Sequence, residues 1–120
     1  MPSLKDKGVA LLGSATIDMK TAATTTIYTT PVGKVTRIHH AVVRDATASL
    51  AGGTSYTING LRAAFSLAGL TTVNTGFYVV RSADLTEQLE IAASTAIALT
   101  VTTGSTAAAN ATIDIFGFTT

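Results

Sequence analysis

Apolar and polar residues alternate along this chain in short runs, broken by glycine, proline or asparagine about every 8–12 residues. Successive side chains of a strand point to opposite faces, so a period of two marks a strand with one face buried. Ala15, Ile17 and Met19 share one side against Thr16 and Asp18. Thr25, Ile27 and Thr29 alternate with Thr24, Thr26 and Tyr28. Pro31-Val32-Gly33 then predicts a turn, because proline fixes φ and glycine permits a positive one. Val35 to Val43 carries the strongest strand pattern. Val35, Arg37, His39, Ala41 and Val43 fall on one face; Thr36, Ile38, His40, Val42 and Arg44 fall on the other.

Ala46 to Leu50 reads as a short strand or an irregular edge, ended by Ala51-Gly52-Gly53. Thr54 to Ile58 alternates again, and Asn59-Gly60 is the sharpest turn signal present, suited to a type I′ hairpin. Its predicted return strand is Leu61 to Leu67. A loop over 68–76, a short buried strand from Phe77 to Val80 and a polar connection from Arg81 to Thr86 follow. Leu85 to Ala93 fits a helix or a strand about equally. Ile97, Leu99 and Val101 mark another strand, 102–109 a small-residue loop, and Ala111 to Phe118 a closing strand. Roughly eight to ten short strands without long crossovers predict an all-β protein. The expected architecture is one antiparallel β-sandwich, jelly-roll-like, over residues 9–120. A short extended N-terminal arm, polar and closed by Gly8, occupies residues 1–8.

Composition sharpens this picture. Threonine and alanine fill 43 of the 120 positions. Threonine suits a pleated surface, and alanine lets strands and neighbouring chains approach closely. Charged residues make up only 12%, about half the usual share, so part of the surface is expected to be covered by copies of the chain or by other proteins. The net charge of +1 comes from scattered cations with no basic stripe, which argues against a nucleic-acid partner. Without cysteine, disulfides and thiolate chemistry are excluded. No secretory signal and no membrane span is legible, so synthesis in the cytoplasm is expected.

Candidate chemistry is sparse. His39-His40 is the first place to look, yet adjacent residues of a regular strand point to opposite faces and do not chelate one metal. The expectation is that one ring packs at an interface. Glu87 and Glu90 read as solvent-facing carboxylates, Gly52-Gly53-Thr54 lacks the lysine of a phosphate loop, and no Gly-x-Ser-x-Gly elbow occurs. No catalytic residue, cofactor, metal or small-molecule substrate is therefore expected. Tyr28, Tyr56 and Tyr78 are candidates for a sugar-stacking platform. In the arm, Leu4, Lys5 and Lys7 are candidate partner contacts that order on a neighbouring surface.

Four stretches carry a resemblance: Ile27-Tyr-Thr-Thr-Pro-Val-Gly33, the strand from Val35 to Arg44, Thr47 to Gly60, and Ile113-Asp-Ile-Phe-Gly-Phe118. The chain resembles the small all-β cement or decoration proteins, the head accessory proteins of tailed bacteriophages, in style, composition and length. The resemblance implies a homo-oligomer, a trimer, seated on the capsid exterior of the virion. It also implies binding to the assembled major capsid protein, which the subunit stabilises, and no catalytic residues. The alternative is a receptor- or carbohydrate-binding module of a fibre or tail.

Overall fold

Threonine, valine and isoleucine are stiff at their branched Cβ and fit a pleated sheet, and the segments rich in them are extended. The computed structural model describes residues 9–59, 61, 64–71, 73, 77–81 and 90–120. Among them lie the strands β1 (Ala10–Asp18), β2 (Thr24–Thr29), β3 (Thr36–Arg44), β4 (Ser55–Ile58), β5 (Phe77–Arg81), β6 (Glu90–Ile91), β7 (Ala96–Thr103) and β8 (Asn110–Thr119). No helix occurs among the described residues.

The pairing is nested in sequence. β1 pairs with β8, β2 with β7 and β3 with β5, all antiparallel. β4 makes a bridge from Tyr56 to Phe65 in the segment that follows it. The chain thus behaves as one long two-stranded ribbon, and rolling that ribbon sets β8 beside β3 and β7 beside β4. A large sheet, β1-β8-β3-β5, and a small sheet, β2-β7-β4, result. This is the two-sheet jelly roll expected from the sequence. β6 extends the large sheet beside Thr36 and Arg37, past the stretch of β3 that β5 covers.

The interior lies between the sheets. Ile17, Ile38, Val43, Ile113 and Ile115 of the large sheet meet Tyr56, Ile58, Ile97, Leu99 and Val101 of the small one in a single buried cluster. Each such aliphatic side chain contributes about 1.5–3 kcal/mol on burial. A slip of one residue would turn a whole strand's apolar set to water, so the cluster also fixes register.

Two expectations change in detail, and one open alternative is decided. Ala10 to Leu12 of the apolar run and the strand after it form one continuous strand, β1, which carries an irregularity between Leu11 and Gly13. Ala46 to Leu50 is irregular, with Ala46 and Leu50 buried and the Leu50 N–H donated to Leu70 O at 2.9 Å. The predicted return strand Leu61 to Leu67 is not a strand over its described residues. Leu61 N–H donates to Ile58 O at 3.2 Å, and among the described residues of this segment Phe65 bridges to Tyr56. The Asn59 side chain extends the pairing of β4 with β7. It donates to Ala96 O at 2.6 Å and accepts from Ala98 N at 2.7 Å, so it pairs with β7 as a strand backbone would. The Pro31-Val32-Gly33 turn forms as expected, with Gly33 at φ 73°. In the ambiguous stretch from Leu85 to Ala93, Glu90 and Ile91 are strand, while 85–89 lie outside the described residues. The arm, with Leu4, Lys5 and Lys7, lies outside them as well.

Candidate functional site

The two histidines lie on β3 where its regular pleat is interrupted. Ile38 stands opposite Gly117 of β8, and His40 stands opposite Phe116, so His39 is an extra residue without a partner position. An insertion of this kind is a β-bulge; it bends the strand and re-aims the side chains on either side of it. Thr36 and Ile38 before the bulge and Ala41 and Val43 after it are all buried. The strict two-face alternation predicted for Val35 to Arg44 therefore holds only on each side of His39, and the phase reverses across it.

This reversal corrects the expectation that His39 and His40 point to opposite faces. Their Nδ1 atoms are 2.8 Å apart. The rings meet edge to face at a centroid distance of 5.0 Å, and His40 stacks flat on Phe116 at 4.7 Å. Both rings are half-buried. A nitrogen–nitrogen hydrogen bond needs one Nδ1–H and one bare Nδ1, so one ring donates and the other accepts.

Charged groups gather on the same sheet. Arg37 reaches Glu90 at 2.6 Å. Asp114 accepts from Arg44 Nε at 2.7 Å and from Ser14 Oγ at 2.6 Å, tying β3, β8 and β1 together. Arg44 also pairs with Asp45. Burial alone would push the Asp114 carboxyl up; the hydrogen bonds from Arg44 and Ser14 and the Arg44 charge outweigh it and hold the group below the ordinary carboxylate range. The sequence predicts Glu90 as solvent-facing beside Glu87. It is exposed and paired with Arg37, while Glu87 lies outside the described residues.

The small sheet has a different character. No residue of β2, β4 or β7 is charged. Ile97, Leu99 and Val101 of β7 point inward, leaving Thr100 on the outside. Thr100 faces Thr24 on one side, hydroxyl to hydroxyl at 3.1 Å, and Thr57 on the other. The outer surface of this sheet is a mat of hydroxyl and methyl groups.

The tyrosines do not form an exposed platform. Tyr56 is fully buried and donates its hydroxyl to Met19 O at 2.9 Å. Its ring stacks on Phe65 at 6.1 Å, which stacks on Tyr78 at 5.8 Å. Tyr28 and Tyr78 are half-buried. A tyrosine on an alternating strand looks the same in sequence whether its face is inner or outer, and at Tyr56 the face is inner. Sequence reasoning also missed the Ser14–Asp114–Arg44 cluster, whose members are far apart in the chain. The one local signal of the bulge was Gly117, a glycine inside a strand pattern.

Neither a model of a known protein family nor a curated protein matches the chain.

Proposed function

We propose that this chain is a virion structural protein, a capsid cement or decoration subunit that binds the assembled major capsid shell and stabilises it. The uncharged outer surface of β2, β4 and β7 is the observation that carries the reading. Covering a hydroxyl-and-methyl surface with another protein costs far less than covering charges, because hydroxyls find partners across an interface and no ion loses its water. A jelly roll that presents such a surface is suited to packing against copies of itself or against a lattice. A subunit that binds only the assembled lattice stabilises it by mass action, and a homotrimer multiplies weak contacts through avidity.

The test is sedimentation of the purified chain with assembled, expanded shells and with unassembled major capsid protein, alongside light scattering of the chain alone. A trimer that pellets with shells and ignores the unassembled protein is the expected result. A strict monomer that does not bind shells, or a chain that binds glycans instead, would remove the proposal. The burial of Tyr56 weakens the carbohydrate alternative, since a three-tyrosine platform is not presented.

A further inference from the structure

We infer that residues 2–4 dock on the open edge of β1 as a short antiparallel strand, with Leu4 opposite Val9 and Pro2 opposite Leu11. The start of β1 is the surface that calls for an occupant. β1 is an edge of the large sheet, and among the described residues it pairs with β8 alone. Val9 and Leu11 are 45% and 56% exposed, two of the four large apolar side chains that face water among the described residues. Leu11 stands opposite Phe116 and Phe116 opposite His40, so Leu11 carries the Phe116–His40 stack out to the margin of the sheet. Open edges are blunted by lysine, proline or charge. From Ala10 to Ile17 β1 has none of these, and they stand just ahead of it at Pro2, Lys5, Asp6 and Lys7.

The length and pattern of the chain leading into this edge select the occupant. A segment tethered to Val9 has an effective concentration of about millimolar at the edge, which a free partner must match. Gly8 admits the positive φ by which a hairpin loop re-enters a strand. With Lys5-Asp6-Lys7-Gly8 as a four-residue loop, a length that hairpins use, the chain reverses and the three charges stay in water. Leu4 then stands opposite Val9, Ser3 opposite Ala10 and Pro2 opposite Leu11. Opposite residues of an antiparallel pair share a face, so Leu4 and Pro2 cover the two exposed apolar side chains. A slip of one residue would turn Leu4 to the other face. Both strands also end together. Pro2 has no N–H to donate, and β1 leaves its regular register between Leu11 and Gly13.

Nuclear magnetic resonance of the full chain tests the docking. Leu4 methyls should show Overhauser contacts to Val9, and the Pro2 ring should show them to Leu11. Samples mixed from labelled and unlabelled chains should place these contacts within one chain. A second readout uses the lack of native cysteine. Ser3→Cys/Ala10→Cys is equilibrated in glutathione buffer, and its disulfide should have an effective molarity about tenfold or more higher in the folded chain than in concentrated urea. Adding Leu4→Asp should bring the two values together while circular dichroism stays that of the wild type. Contacts that run between chains, as a second copy seated on the edge would give, overturn the inference. So does the lack of contacts at Val9 and Leu11, or an effective molarity that folding leaves unchanged.

Discussion

The carbonyl of Arg37 presses against Gly117 at the point where any side chain on that glycine would begin. Ile38 stands opposite the same glycine, and the bulged residue His39 follows directly. The close approach of the two backbones is thus linked to the bulge, and the bulge to the contact between the two histidines. Gly117→Ala must move β3 away from β8 or distort it. A loss of about 1–3 kcal/mol is expected, the range for overpacking a close-packed site, measurable by urea denaturation. The same variant should separate the two imidazoles, seen as a change in their Nδ1 chemical shifts.

Tyr56 spans the interior from β4 to the carbonyl that follows β1. Met19 O also accepts from Ser105 N at 3.0 Å, so it keeps a partner when the hydroxyl is deleted. Tyr56→Phe should then cost only about 0.5–1.5 kcal/mol. Tyr56→Ala leaves a cavity beside Phe65 and should cost about 3–5 kcal/mol. Equal losses in the two variants would show that the hydroxyl, and not the ring, carries the contribution.

Asp114 makes stability dependent on acid. Its carboxyl is held below the ordinary carboxylate range in the folded chain, where the hydrogen bonds from Arg44 and Ser14 outweigh the cost of burial. A lowered folded value means that the contribution is fully present above the ordinary carboxylate range. It is lost as the pH falls from about 4 through the folded value. Thermal midpoints measured in this acid window should drop more steeply for the wild type than for Asp114→Asn. Parallel curves for the two proteins would sink this assignment.

Thr100 lies at the middle of the uncharged mat, between Thr24 and Thr57. Placing a charge there tests the proposed function without touching the core. Thr100→Lys should stay within about 0.5 kcal/mol of the wild type, as surface substitutions usually do, while binding to assembled shells falls and the oligomer dissociates. Light scattering and shell sedimentation check both. A variant that assembles and binds unchanged would show that this face is not the contact.

The alternation of Ile97, Leu99 and Val101, and of Ile113 and Ile115, was enough to specify strands and an antiparallel sandwich, because a period of two is imposed by the backbone of any strand. The Pro31–Gly33 turn was equally legible, since its residues dictate their own φ angles. The scarcity of charge in the future β2, β4 and β7 could also be read directly. Tertiary structure decided where that alternation changes phase. The extra residue at His39 follows from backbone packing against a glycine 78 positions away, and no pattern around His39 itself encodes it. The same holds for Tyr56, whose burial depends on which face of β4 meets β7 and the core, and for Asp114, whose partners come from β1 and β3. Strand identity is a local property of covalent geometry. The sharing of space by two histidines depends on how distant strands press together.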